Sequence, residues 1–147
     1  MNELDDELHE RIKKLCADGD AAAARSEFGA AIQQYEAAWG LLPDPKTRWE
    51  AATWILASIG DAHYLSGAFE RGRDTLLTAM RCPDAIGNPF LHLRLGQCQF
   101  ELGFEIIAGD ELTRAYMGGG GDIFRDEDPK YYDYIKTILQ EPPGGWD

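Results

Sequence analysis

The sequence predicts an all-α protein, and more specifically an α-α superhelix, or solenoid, of three helix pairs followed by a C-terminal capping helix. Three observations predict this class. The 147 residues contain no valine, and isoleucine and threonine do not alternate with polar residues as they do in a half-buried strand. Alanine and leucine dominate, and apolar residues recur at the spacing of a helix face. Five positions recur with the same mutual spacing in three copies along the chain.

Apolar residues at helical spacing mark the first helices. In the first twenty residues they follow one another at intervals of four, four and three, so that one face of a helix is apolar. Most of the chain is therefore predicted to be amphipathic helix. The first three apolar faces are Leu4, Leu8, Ile12 and Leu15; Phe28, Ile32, Tyr35 and Trp39; and Trp49, Ile55, Ile59 and Leu65.

Prolines separate the predicted helices in the middle of the chain. Pro43 and Pro45 predict that a helix ends after Leu42, because proline lacks the amide donor and clashes with the preceding turn. Further on, Asn88 is a predicted N-cap, and Pro89 occupies the first helical position that proline favours. These signals divide the chain into helix pairs.

Glycine and proline also organise the C-terminal part. The four glycines at 118–121 predict a break between helices, because no helix would tolerate such a run. A leucine at Gly120, outside any predicted helix, is therefore expected to have little effect. Asp128 and Pro129 are a second cap and helix start, and this predicted helix runs through about Leu139. It would cap the stack by covering the last apolar face.

A repeat with periods of 41 and 36 residues runs through these blocks. Small residues recur where two helices must approach closely, and large apolar residues recur where a side chain must fill the gap. This combination predicts a repeated helix-turn-helix unit. The five columns are Gly19, Gly60 and Gly96; Phe28, Phe69 and Glu105; Ala31, Gly72 and Ala108; Tyr35, Leu76 and Leu112; and Ala38, Ala79 and Ala115.

The repeat resembles the tetratricopeptide repeat, whose pattern is W-x2-L-G-x2-Y, then A-x3-F, then P. The first copy fits the pattern in its second helix and departs from it in its first, and the third copy lacks the final proline. The second copy matches at Leu56, Ile59, Gly60, His63, Phe69, Gly72, Leu76 and Ala79, with Pro83 one residue early.

This resemblance covers residues 3–117 and implies one domain over residues 1–147. It places His63 and His92 at packing positions of the repeat. The implied repeats span about residues 3–45, 46–87 and 88–117, and the capping helix and tail span 122–147.

Composition excludes several classes of function. The formal net charge of −12 repels phosphate backbones and anionic lipid surfaces, so nucleic acid and membrane are not expected partners. No apolar run reaches the roughly 20 residues that span a bilayer, and the acidic first twenty residues do not resemble a signal peptide, which predicts a soluble cytoplasmic protein. The odd number of cysteines, without a C-x-x-C pair, predicts reduced and buried thiols.

No motif predicts catalysis, a cofactor or a metal. The three histidines lack metal-ligand spacing. The glycine run is followed by Asp122 where a phosphate-binding loop supplies lysine, and Phe124 occupies a ligand position of an EF-hand loop. We therefore expect a protein without enzymatic activity, cofactor or bound metal.

The resemblance also implies a binding surface, because the first helix of each tetratricopeptide repeat lines the concave side. Several of the implied positions hold large aromatic or apolar side chains, which on an exposed face predict an interaction site. The alternative, left open by the sequence, is that the capping helix or tail folds over this face. The predicted partner-binding residues there are Trp54, Asp61, Tyr64, Phe90, Leu93, Gln97 and Phe100.

Acidic residues cluster at the two ends of the chain. Asp126, Glu127 and Asp128 are assigned to long-range attraction of a basic partner, although carboxylates are also favoured at helix N-termini. Trp146 in the tail either packs back on the stack or acts as a free recognition element.

Together these features predict a protein-protein interaction module with a protein partner. Small acidic proteins of this format resemble the immunity proteins, or antitoxins, of bacterial toxin systems, which implies a basic toxin domain as the partner. The alternative is an adaptor or secretion chaperone that holds a client peptide in the concave groove. The oligomeric state is not predicted.

Overall fold

The fold, in a computed structural model that describes residues 3–146, contains seven α-helices and no strand over that range. The all-α prediction is confirmed. The helices are α1 (Asp6–Ala24), α2 (Phe28–Leu41), α3 (Glu50–Leu65), α4 (Phe69–Ala79), α5 (Pro89–Glu101), α6 (Glu105–Gly119) and α7 (Pro129–Lys136), with short 3-10 turns at Lys46–Arg48 and Gly121–Phe124.

The helices pack as consecutive antiparallel pairs in an α-α superhelical arrangement. The most extensive contacts join α1 to α2, α3 to α4 and α5 to α6, and the second helix of each pair then contacts the first helix of the next. α3 also contacts α5, and α7 packs against α6. None of the helices in residues 3–146 combines the length and the apolar character needed to cross a membrane.

Two predicted helix starts are confirmed by their caps. The side chain of Asn88 accepts hydrogen bonds from the amides of Phe90 (3.0 Å) and Leu91 (3.3 Å), which would otherwise have no partner in the first turn of α5. Asp128 likewise accepts from the amide of Lys130 at 3.0 Å at the start of α7.

Two predicted helix ends are wrong. α6 runs into the glycine segment as far as Gly119, and α7 ends at Lys136 rather than at Leu139. The segment stays helical because its glycines permit close contacts: a Cβ at Gly118 would lie 2.7 Å from Pro89. The helix ends where Gly120 adopts φ +66° and ψ −169°, a conformation that is costly for other residues. A leucine at Gly120 is therefore expected to be strained, contrary to the prediction from the sequence.

The repeated columns of small and large residues meet as predicted. A Cβ atom would lie 2.5 Å from Tyr35 if added at Gly19, 2.6 Å from Leu76 if added at Gly60, and 2.8 Å from Leu112 if added at Gly96. Real Cβ atoms do not approach other atoms this closely, so each glycine lets the two helices of its own pair come together. In all three helix pairs, the contact therefore joins the same two repeat positions, a glycine on the first helix and a tyrosine or leucine on the second.

The interior forms two clusters of apolar side chains. The larger one extends through the first five helices and is rich in alanine, isoleucine and leucine. The smaller one joins α7 and the 3-10 turn before it to α5 and α6, so that α7 has a core contact of its own. The buried members of the smaller cluster are Leu93, Leu112, Ala115, Phe124, Tyr131 and Ile135.

Two histidines are buried in helix packing, as the repeat pattern predicts. His63 is 8% exposed and His92 is 3% exposed. Nε2 of His92 accepts a hydrogen bond from the amide of Gly87 (2.8 Å), so Nδ1 is the nitrogen that donates to Glu111 at 2.6 Å. The ring thereby links the loop before α5 to α6.

Burial makes His63 a source of pH-dependent stability. Burial and, to a smaller extent, Arg71 lower the pKa of His63 from its ordinary value of 6.5, against an opposing effect of Glu36. The unfolded chain therefore binds a proton more readily than the folded protein. The contribution of His63 to stability is complete above its ordinary pKa of 6.5, and it is lost as the pH falls below 6.5 toward the lowered pKa of the folded protein. We expect the free energy of unfolding to decrease from about pH 7.5 to about pH 5.5, and to decrease less in a His63→Gln variant. Urea denaturation at several pH values measures both; equal slopes would contradict this assignment.

Candidate functional site

The candidate site is the set of positions on α1, α3 and α5 that the repeat pattern assigns to the concave side, here called the inner face. The face carries aromatic, small and charged side chains in four columns. It consists of Lys13, Cys16, Asp20 and Ala23 on α1, Trp54, Ala57, Asp61 and Tyr64 on α3, and Phe90, Leu93, Gln97 and Phe100 on α5.

A buried arginine organises the centre of the inner face. Arg94, whose side chain is 9% exposed, donates from Nε to Oδ1 of Asp61 at 2.7 Å. Its Nη1 donates to Oε1 of Gln97 at 2.7 Å and to Oε1 of Glu127 at 2.5 Å. Gln97 Nε2 donates to the same Glu127 oxygen at 2.7 Å. One guanidinium thus connects α3, α5 and the segment that leads into α7.

Two aromatic rings lie against this guanidinium. The central carbon of Arg94 lies 4.8 Å from the ring centre of Tyr64 and 5.0 Å from that of Phe90. Burial by itself lowers the pKa of Arg94, but the bonds and charges of Asp61 and Glu127 outweigh it and raise the pKa. The side chain is therefore a permanent cation in contact with two aromatic rings.

α7 covers the part of the inner face that belongs to α5. The hydroxyl of Tyr131 donates to Glu101 at 2.7 Å and accepts from the hydroxyl of Tyr64 at 2.9 Å. Phe100 makes edge contacts with the rings of Tyr131 and Tyr134, at centroid distances of 5.5 and 5.2 Å. Over the α5 part of the inner face, the structure thus shows the alternative that the sequence leaves open, in which the capping helix folds over the predicted binding surface.

This coverage corrects three predicted partner-binding residues. Leu93 is 2% exposed and Gln97 is fully buried, because α7 and Glu127 lie against them. Phe100 is partly buried beneath α7. The physical reason is that the end of a superhelix exposes apolar surface, which this chain covers with its own next segment. While α7 is in place, Leu93 and Gln97 are inaccessible to a partner, and Phe100 is accessible only in part.

The part of the inner face on α1 and α3 remains open. Asp20 is exposed, the side chain of Asp61 is 28% exposed, and Trp54 and Tyr64 are partly buried. On α5, Phe90 is 37% exposed and stands at the edge of the covered region. The predicted residues Trp54, Asp61, Tyr64 and Phe90 therefore surround accessible surface.

Trp54 also borders a cleft at the end of the inner face. The cleft has a volume of about 540 Å³ and lies where the starts of α1 and α3 come together. Next to Trp54 in its wall, Trp49 donates from its indole nitrogen to the carbonyl of Pro43 at 2.8 Å, and Arg48 stacks on its ring at 4.5 Å. The open surface thus extends from the centre of α3 to its first turn.

The predicted acidic cluster separates into three different roles. Asp126 is exposed. Glu127 is largely hidden from solvent, with a side chain that is 14% exposed, and it belongs to the Arg94 network. Asp128 caps α7. Glu127, which the sequence analysis assigns to long-range attraction of a basic partner, is thus already paired within the protein, because its oxygen accepts hydrogen bonds from Arg94 and Gln97.

The C-terminal tail returns to the helices. The ring of Trp146 lies 5.8 Å from that of Tyr116 and 6.1 Å from that of Tyr132, both in edge-on geometry. The ring of Phe124 also stacks on that of Tyr132, at a centroid distance of 4.9 Å. Of the two alternatives for Trp146, packing back on the stack is therefore the one observed.

The cysteines are free and buried, as predicted. Burial raises the pKa of Cys16 to about 11 and that of Cys98 to about 12, with smaller effects of neighbouring charges, and burial also raises the pKa of Cys82. These thiols therefore stay protonated at neutral pH and are poor nucleophiles. Over residues 3–146 no three histidine, cysteine or acidic side chains converge in a group that could hold a metal ion.

Sequence reasoning did not identify the residues that connect α7 to the inner face. Arg94, Glu101 and Tyr131 all act in this connection, yet none belongs to a repeated column. One signal was present: Arg94 stands directly between Leu93 and Leu95, and a charge flanked by apolar residues in a predicted helix requires partners. Neither a protein-family model nor a curated protein matches the sequence.

Proposed function

We propose that the protein is a non-enzymatic protein-binding module that uses the open part of its inner face to bind one basic folded domain. The class that fits best is a bacterial, cytoplasmic immunity protein that neutralises a cognate toxin, built on helical repeats akin to the tetratricopeptide repeat. The single observation that carries this proposal is the combination of accessible aromatic and acidic side chains at Trp54, Asp61, Tyr64 and Phe90. Aromatic residues supply binding energy at interfaces, and carboxylates favour cationic partners.

Charge supports a basic partner. The net charge of −12 creates a negative potential that speeds encounters with cationic proteins and disfavours nucleic acid. Exposed carboxylates stand at both ends of the superhelix, for example Asp5 and Asp6 before and within α1 and Asp126 before α7. A partner would therefore be attracted over the whole molecule and anchored at the inner face.

A folded partner is favoured over an extended client peptide. An adaptor or chaperone of this format would need a groove that is open along all three helix pairs. α7 occupies the third of these, where Leu93 and Gln97 are buried. The remaining open surface on α1 and α3 suits a protruding part of a folded domain.

Affinity capture from the native cell tests this proposal. The tagged protein would be cross-linked, purified and examined by mass spectrometry, and the enriched protein would then be produced alone and in complex. We expect one basic protein that binds tightly, binds more weakly at higher salt, and loses its toxicity when the two are expressed together. Recovery of several clients that bind through short peptides would favour the chaperone alternative, and recovery of acidic or uncharged partners would contradict the proposal.

Association kinetics separate long-range attraction from anchoring. The Asp126→Asn, Asp128→Asn double variant keeps the cap acceptor of α7 and leaves Glu127 in its network, while removing two charges. We expect it to slow association by about threefold at low salt and to leave dissociation nearly unchanged. Phe90→Ala is the matched comparison, because loss of an aromatic contact should mainly speed dissociation. Surface plasmon resonance at two ionic strengths measures both; a double variant that changes only dissociation would contradict the steering role.

A further inference from the structure

The cleft bordered by Trp54 is a concave surface with two tryptophans in its wall. Its volume of about 540 Å³ lies within the range of roughly 300 to 1,000 Å³ that is usual for ligand pockets in proteins. Three separate stretches of the chain contribute to the wall, within residues 3–9, within residues 48–54 and at Pro83. The cleft therefore forms only when α1 and α3 are packed in the folded protein.

The two tryptophans of the cleft differ in what the protein already asks of them. Trp49 is 8% exposed, and its indole nitrogen donates to the carbonyl of Pro43. Trp54 is only partly buried, and over residues 3–146 its indole nitrogen donates no hydrogen bond and its ring has no aromatic or cationic partner. Trp49 thus belongs to the framework, whereas Trp54 keeps its N–H donor and part of its ring available to a partner.

The wall of the cleft already includes one guanidinium on an indole. The central carbon of Arg48 lies 4.5 Å from the ring centre of Trp49, and both residues line the cleft. A planar guanidinium binds to an indole face by stacking and by attraction to the electrons of the ring. The protein itself therefore provides an example of the contact that Trp54 could make with a cationic side chain from outside.

The charge of the cleft selects a cation as its occupant. Glu3, Asp6 and Glu50 line it and are exposed, and none of the ion pairs found in residues 3–146 includes any of the three. Arg48 is the one lysine or arginine in the described part of the wall. These carboxylates do not converge into a group that could hold a metal ion, so an organic cation matches the cleft better.

We propose that an arginine side chain projecting from the basic partner inserts into this cleft, with its guanidinium against Trp54 and among the carboxylates of Glu3, Asp6 and Glu50. This inference rests on the proposed function and names the group that anchors the partner. Arginine suits the cleft better than lysine, because a planar guanidinium can stack on an indole while it donates hydrogen bonds to carboxylates. The bound side chain would repeat on Trp54 the contact that Arg48 makes on Trp49.

Titration with a short arginine peptide tests the occupant. The probe is a blocked tri-arginine amide, added to the 15N-labelled protein at low ionic strength, and a blocked tri-citrulline amide is its uncharged isostere. We expect tri-arginine to shift the indole signal of Trp54 but not that of Trp39 on α2, and to bind at least about tenfold more tightly than tri-citrulline. An unchanged Trp54 signal at saturating tri-arginine, or equal binding of the two peptides, would overturn the proposal.

Two double variants with the same loss of charge test the location. Asp6→Asn with Glu50→Gln removes two carboxylates from the cleft, and Glu7→Gln with Glu70→Gln removes two that do not line it. All four are exposed residues in the first turn of a helix, so any effect on helix stability is matched.

We expect the cleft variant to raise the Kd for tri-arginine about threefold, and the control variant to raise it less than about 1.5-fold. Equal weakening by both variants would show that overall charge, rather than the cleft, binds the peptide, and would overturn the proposal. These outcomes are independent of the capture experiment, which identifies the partner wherever it binds. Capture of an acidic partner would contradict the proposed function and leave the tri-arginine results unchanged.

Discussion

Gly60→Leu is expected to destabilise the protein by about 1 to 3 kcal/mol through overpacking. A Cβ at this position would already lie 2.6 Å from the side chain of Leu76, and the remaining leucine atoms would require α3 and α4 to separate. Gly96→Leu should behave in the same way, because its Cβ would lie 2.8 Å from Leu112 between α5 and α6. Thermal and urea denaturation followed by circular dichroism measure the loss.

The chain provides a matched control for this substitution. Gly40 is also helical but exposed, and a Cβ there would have no atom within 4 Å. Gly40→Leu should therefore stay within about 1 kcal/mol of the wild type, and on the stabilising side, because leucine favours helix over glycine. If the Gly60 and Gly96 variants are too unstable to purify, Gly60→Ala provides a milder test of the same contact. A fully stable Gly96→Leu protein would contradict the close packing of the third pair.

Arg94→Met is expected to destabilise the protein by about 2 to 3 kcal/mol, because removing one partner leaves the other charges half-buried without compensation. Asp61 would lose its ion pair, and Glu127 would keep only the amide of Gln97. Since Glu127 leads into α7, the amides of α7 should exchange with solvent faster than those of α3. Urea denaturation and amide hydrogen exchange measure the two effects.

Arg125→Met is the matched control for this network. Arg125 pairs with Asp122 three residues away in the same segment, but both side chains are well exposed. Exposed pairs of this kind contribute little, so the free energy of unfolding should change by less than about 0.5 kcal/mol. Glu127→Gln should fall between the two, because its side-chain oxygen can still accept from Arg94. A loss in Arg125→Met equal to that in Arg94→Met would show that charge number, rather than the buried network, sets stability.

Local signals in the sequence were sufficient to place most helices. Asn88 before Pro89 and Asp128 before Pro129 act as caps within their own first turns, so short-range chemistry decides them. The glycine run was misjudged because its helical conformation depends on close contacts, such as that of Gly118 with Pro89, which bring together residues far apart in the chain. Propensity alone carries no information on such contacts.

The candidate site was only half predictable for the same reason. Trp54, Asp61, Tyr64 and Phe90 were found from their register in the repeat, and they border accessible surface. The register also selected Gln97, since it describes the face of α5 but does not indicate which segment lies against that face. Arg94 and Glu127 meet across 33 residues of sequence, a pairing that no periodicity encodes.

The sequence by itself determined the helical class, the pairing of helices through the glycine columns, and the acidic character of the surface. These depend on composition and on fixed spacing, which the helix geometry converts directly into faces. The tertiary structure alone decided which part of the inner face stays open. α7 covers Leu93, Gln97 and Phe100 because burying apolar surface and completing the bonds of Arg94 both favour that arrangement, and both depend on contacts distant in the chain.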